Sequence, residues 1–119
     1  MPSSPSGERG MVTAELAVCL PVLVLVLAVA VSAVSVAGAR VRVQDAAREA
    51  ARAAARGDPG QADRLAKHAA PGVAVDITTR GDEVVAVARL TVHPLARWLP
   101  ALTVTERAVA AVEPSAASP

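Results

Sequence analysis

From Leu16 to Ala39 the chain runs for 24 residues without a charge, and only the hydroxyls of Ser32 and Ser35 interrupt its aliphatic side chains. At a rise of about 1.5 Å per residue this run makes a helix of roughly 36 Å, enough to cross a hydrocarbon layer of about 30 Å. A core helix of a water-soluble protein shows a polar face every three or four residues, and this run has none. The sequence therefore predicts a membrane span. Pro21 falls inside it, where a proline removes a backbone hydrogen bond, a defect that membrane helices tolerate.

The residues just before the run are informative. Met1 to Gly10, MPSSPSGERG, is polar and rich in proline, serine and glycine. It has nothing to bury and reads as an unstructured leader. Gly10 offers a peptide bond with no side chain beside it, directly before the apolar start Met11, Val12 and Ala14. Glu15 is the one carboxylate at the lip of the span. It can be a solvated helix-start acid favoured by the helix dipole, or a buried acid that needs a cation. A cut between Gly10 and Met11 would supply that cation as the new α-amine of Met11.

A glycine, a cut, glutamate as the fifth residue of the shortened chain and about twenty apolar residues: this pattern resembles the processing signal of type IV pilins and pseudopilins. With the next segment included, ERGMVTAELAVCLPVLVLVLAV followed by RVQDAAREAARAAARG, the first half of the chain is similar to the TadE-like minor pilins of the tight adherence (Tad) pilus. The resemblance implies a prepilin peptidase as partner, Gly10, Met11 and Glu15 as the processing site, and other pilin and Tad assembly subunits as neighbours in a hetero-oligomer. It also implies a minor rather than a major subunit, because a distal domain follows the helix. Where pilins commonly place phenylalanine after the cut, this chain has Met11.

Within the span, small residues recur at fourth positions, Ala28 with Ser32 and Ala33 with Ala37, and Ser35 with Ala39 repeats the spacing. Such stripes let helix backbones approach closely, although the chain is rich in alanine throughout.

Beyond the span, RVRVQDAAREAARAAAR carries strong helix formers and no breaker until Gly57, Asp58 and Pro59. Arg42, Asp45, Glu49, Arg52 and Arg56 fall on one face, with Val43, Ala47, Ala50 and Ala54 opposite. Asp45–Arg48 and Glu49–Arg52 pairs would each add about 0.2–0.5 kcal/mol. Span and extension together predict one helix of about 45 residues, roughly 67 Å long.

Asp58-Pro59 is a cap followed by a first-turn proline, opening a short helix through Gln61, Leu65 and His68 to Pro71-Gly72. Val73, Val75, Ile77 and Thr79 then alternate with Ala74, Asp76 and Thr78 as a strand, and Arg80-Gly81-Asp82 turns the chain into a second strand, Glu83 to Val92. The Arg-Gly-Asp triplet also matches an adhesion motif, but between two alternating runs it is first a turn. Leu95, Trp98, Leu99 and Leu102 have one-face helical spacing in a short apolar loop or turn. Trp98 there reads as a core plug, with a membrane-interface anchor as the alternative. Residues 103–112 read as a third strand, with a bulge or short helix at Glu106 and Arg107 left open.

The expected organisation is thus an α+β membrane protein of pilin-like order. Residues 1–10 form a leader, 11–39 the transmembrane helix, 40–57 its amphipathic extension, 58–113 a small α+β extracytoplasmic domain and 114–119 an unstructured tail. The distal part has only Val, Leu, Ile and Ala for a core, a marginal endowment that favours a partner surface.

Twelve basic against eleven acidic residues give no field that would favour nucleic acid. The lone Cys19 lies inside the apolar run, so no disulfide can staple the distal part, and its position does not suit lipid attachment. His68 and His93 have no partners at metal-ligand spacing, and no phosphate loop or paired nucleophile is in evidence. No cofactor, metal or enzymatic activity is expected.

Two other readings compete. Ala37-Gly38-Ala39 would suit signal-peptide cleavage before Arg40, giving a secreted protein, although the apolar region is too long and Glu15 stands where positive charge is usual. With no cut at all, the chain would be a single-pass anchor for a small binding module. Arg40, Arg42, Arg48, Arg52 and Arg56 follow the span while Arg9 alone precedes it, which by the positive-inside rule favours a cytoplasmic C-terminus. Pilin insertion demands the reverse.

Overall fold

The computed structural model describes residues 6–95, 97 and 99–114. Helix α1 is a single element, Ser6–Ala55, of 50 residues with Pro21 inside it. Its length is about 75 Å. The helix therefore starts earlier than the sequence suggests, since residues 6–10 of the expected unstructured leader are helical. A helix nucleated on a long apolar run gains one hydrogen bond for every residue it adds, enough to carry it through Gly10 at a cost of about 1 kcal/mol. The hydroxyl of Thr13 donates to the Arg9 carbonyl at 2.8 Å across this join.

Glycine ends α1. Gly57 has φ +86°, its N–H donates to the Ala54 carbonyl at 3.0 Å, and the Asp58 N–H reaches back to the Ala53 carbonyl at 3.1 Å. These two bonds form a Schellman cap. A Cβ on Gly57 would meet no atom within 4 Å, so a side chain there is opposed by the backbone conformation alone. Gly57→Ala is therefore expected to destabilise the distal domain by about 1–2 kcal/mol, read as a lower midpoint in urea unfolding. An unchanged midpoint would show that the cap is dispensable.

Helix α2, Pro59–Ala69, is capped by Asp58, whose Oδ1 accepts from the Gln61 N–H at 3.0 Å. Strands β1 (Ala74–Arg80), β2 (Glu83–Val92) and β3 (Leu102–Ala111) then form an antiparallel sheet in the order β1-β2-β3. A tight turn at Gly81, φ +59°, joins the first two strands. The β2–β3 register runs without interruption from Glu83↔Ala111 to Val92↔Leu102, so β3 is a regular strand with neither bulge nor helix. At its far end the Val112 N–H donates to the Asp82 carbonyl at 2.7 Å and the Glu113 N–H to the Ala55 carbonyl at 3.2 Å. The top of the sheet is thereby tied to the end of α1.

Both helices cover one face of the sheet. Ala39, Val43, Ala46, Ala47, Ala50 and Ala53 of α1 are fully buried in one cluster with Ala62 and Ala66 of α2 and Ala86 and Ala88 of β2. Val43 and Val84 are the largest fully buried side chains. Alanine at so many contacts lets helix and sheet backbones approach closely, while each residue removes little apolar area from water. The opposite sheet face stays open. There Val85 is only 8% exposed, sheltered by its neighbours in the sheet, and an exposed Asp76–Arg89 ion pair at 2.7 Å spans β1 and β2.

The charged face of α1 lies outward as expected, with Glu49 and Arg52 at 3.9 Å, whereas no Asp45–Arg48 pair occurs among the described residues. Leu95 and Leu99 lie in bends and Arg97 in a turn, in keeping with the short loop or turn expected there. The expectations for Trp98, and for the tail beyond Pro114, lie outside the described residues.

Candidate functional site

The lower part of α1 carries the residues singled out by the sequence. Among the described residues nothing covers it below Ala28: Met11 is 71% exposed, Leu16 64% and Leu25 64%. Among the described residues this is the one helix long and apolar enough to cross a membrane. A contiguous apolar surface of this size marks a membrane or protein contact.

Gly10, Met11 and Glu15 lie on consecutive turns of this exposed rod. Residues four apart on a helix stack on one face, so the Glu15 carboxylate stands one turn above the backbone nitrogen of Met11. Glu15 borders a shallow concavity with Ala14, Val18 and Cys19. The ion pairs among the described residues are Glu49–Arg52, Asp63–Lys67 and Asp76–Arg89, and Glu15 takes part in none of them.

Gly10 is not required by the fold. Its φ is not positive, and a Cβ built on it would meet no atom within 4 Å. A peptide bond held inside a helical turn must be opened before it can be cut, and glycine lowers that cost by about 1 kcal/mol relative to alanine.

The four small residues of the span divide. Ala28 and Ser32 are half-buried, while Ala33 and Ala37 are exposed. The Ser32 hydroxyl donates to the Ala28 carbonyl at 2.7 Å and the Ser35 hydroxyl to the Val31 carbonyl at 2.9 Å, which satisfies both in apolar surroundings. Ser32, Ala33 and Ala37 line a groove closed on its other side by Pro94 and Leu102. Sequence reasoning missed this contact between the span and the sheet's lower end. The apolar spacing of Leu95, Leu99 and Leu102 was its only trace.

His68 lies on α2 beside a shallow hollow with Asp58, Gln61 and Arg64, and His93 follows β2. Among the described residues no three His, Cys, Asp or Glu side chains gather as metal ligands would.

A family model described as TadE-like protein matches residues 10–52, from the glycine before the span to the buried alanines of the extension. The chain is also 40% identical over 100 residues to a protein of Mycobacterium tuberculosis (strain ATCC 25618 / H37Rv) named Apoptosis inhibitor Rv3655c, a match that covers 84% of this chain and 78% of that protein. No solved structure matches. The single apolar helix fits a membrane anchor, and the order of long helix, short helix and three-stranded sheet is the one the sequence implied. The chain belongs to the TadE-like family of Tad-pilus-related proteins.

Proposed function

We propose that this chain is a minor pilin or pseudopilin that a prepilin peptidase cuts between Gly10 and Met11, after which helix packing draws it into a Tad-type pilus or its assembly base. One observation carries the reading. An acid with no ion-pair partner among the described residues stands on an exposed apolar rod, one turn from the residue whose amine a cut would free, beside a glycine on which a Cβ would meet no atom within 4 Å. The freed amine and Glu15, in the same or a neighbouring chain, would neutralise each other as the rod leaves lipid for a bundle of sibling helices. Ala28, Ser32, Ala33 and Ala37 are the positions where such siblings could approach closely. Other Tad components are the partners, and the role is structural rather than enzymatic.

This insertion places the distal domain outside the cytoplasm, against the arginine count. That count governs short loops of up to about 60 residues, and longer segments translocate largely regardless of charge. Here 80 residues follow Ala39. N-terminal sequencing of the protein from its own cells tests the proposal. The expected first residue is Met11; a start at Arg40 would make it a secreted protein, and a start near Met1 a permanent anchor.

Glu15→Gln is expected to leave membrane insertion and cleavage intact while reducing recovery of the subunit with sheared pili or with co-purified sibling subunits. Unaltered recovery would remove the carboxylate from the assembly step. The name of the mycobacterial relative supports a second activity, inhibition of apoptosis, exerted by the displayed domain. Expression of the full chain in cultured host cells under a death stimulus tests it, and unchanged survival would dismiss it.

A further inference from the structure

Strand β3 rises alongside the upper half of α1. Its far end is bonded at Glu113 to Ala55, and its near end, Leu102, shares a groove with Val29, Ala33, Ala37 and Arg40. If the hydrocarbon layer begins at Leu16, just above Glu15, the roughly 20 helical residues needed to cross it end near Ser35. The lower half of the groove, at Val29, Ser32 and Ala33, then lies inside the layer, and Pro94 and Leu102 close that same groove from the side of the sheet. Leu95 is 50% exposed and Leu102 49% exposed in the chain alone, and Leu99 is half-buried. The connection from His93 to Ala101 carries a single formal charge, on the exposed Arg97. Arg97 and Arg40 have the reach to leave their stems in an apolar layer and their guanidinium groups among lipid head groups.

We propose that the β2–β3 connection is a second membrane contact, seating Leu95, Leu99 and Leu102 among the acyl chains at the foot of the distal domain, with lipid as the occupant of this apolar surface. Continuity with the apolar rod favours lipid over a protein partner: the groove joins Pro94 and Leu102, the two ends of this connection, to Val29, Ser32 and Ala33, helix residues that are themselves at membrane depth. The proposal rests on α1 being embedded and is independent of cleavage at Gly10. The domain would thereby be held upright against the bilayer, and extraction of the subunit into a filament would have to withdraw this loop as well as the helix.

Trp98 is the only tryptophan and the chain has no tyrosine or phenylalanine, so its emission reports this connection alone. The full chain is reconstituted at high dilution in phosphatidylcholine vesicles, with or without lipid brominated near the head-group end of the acyl chain. Trp98 is expected to emit to the blue, to lose about half its intensity to the brominated lipid and to resist aqueous iodide. Leu95→Glu combined with Leu99→Glu should reverse the two sensitivities while the chain still floats with the vesicles. Flotation with a wild-type tryptophan open to iodide, or blue-shifted yet reached by neither quencher, overturns the loop contact alone; the latter result would mean that protein covers it. Failure to float overturns the embedded helix and the loop contact together.

Discussion

Gly10→Val is expected to leave the chain at precursor length in the membrane, with mature protein reduced tenfold or more. The fold gives valine no reason to fail at this position. A Cβ there meets nothing, the backbone is helical, and valine is a better helix former than glycine. An enzyme pocket shaped around a hydrogen atom would meet a branched side chain as overpacking, at about 1–3 kcal/mol, and the added helix propensity makes the turn harder to open. Since each 1.4 kcal/mol or so is a factor of ten in rate, the two effects together predict a loss between about ten- and several-hundredfold. The measurement is the ratio of precursor to mature chain after a pulse of labelling, with Gly10→Ala expected between wild type and valine. Normal maturation of the valine variant would move the cut away from Gly10.

Much of this molecule is legible in the sequence because its strongest signals are local. A charge-free run, a glycine with φ +86° after the last buried alanine, an aspartate before a proline and alternation around Gly81 each act within a few residues, and the structure realises all four. What could not be read is set by packing between distant elements. Ala46, Ala51 and Ala53 are buried because α1 meets both α2 and the sheet, which widens its covered arc beyond a single stripe. Glu106 disturbs the alternation of β3 but does not bend it, because an edge strand lets a half-buried carboxylate on the helix-packed face reach water around the rim. The start of α1 at Ser6 follows from cooperativity along a long helix, which no window of composition reports. The residues proposed for processing are legible as a spacing only, and what the structure adds is that, among the described residues, Glu15 joins no ion pair and a Cβ on Gly10 would meet no atom within 4 Å.

Ala50→Asp is expected to unfold the distal domain while leaving the membrane helix and its cleavage untouched. Ala50 is fully buried in the alanine cluster that joins α1, α2 and the sheet. A carboxylate there has no cation among its cluster neighbours, so it must either stay charged without a partner or be protonated in a space already filled by smaller groups. The cost is about 3–5 kcal/mol. A single small core of this kind supplies only about 3–5 kcal/mol in all, and here the largest fully buried side chains are two valines. The exposed Gln44→Asp, on the same helix, should cost less than about 0.5 kcal/mol and serves as the control. Limited proteolysis of membranes should release fragments from residues 58–113 in Ala50→Asp and not in Gln44→Asp, while both chains stay in the membrane fraction. Some 40 residues, about 60 Å of helix, separate Ala50 from Gly10, so the precursor should still be cut at the wild-type rate. Gly10→Val and Ala50→Asp then fail in opposite ways, one folded but uncut and the other cut but unfolded. A variant that lost both properties at once would mean that the peptidase reads the distal domain as well as the edge of the rod.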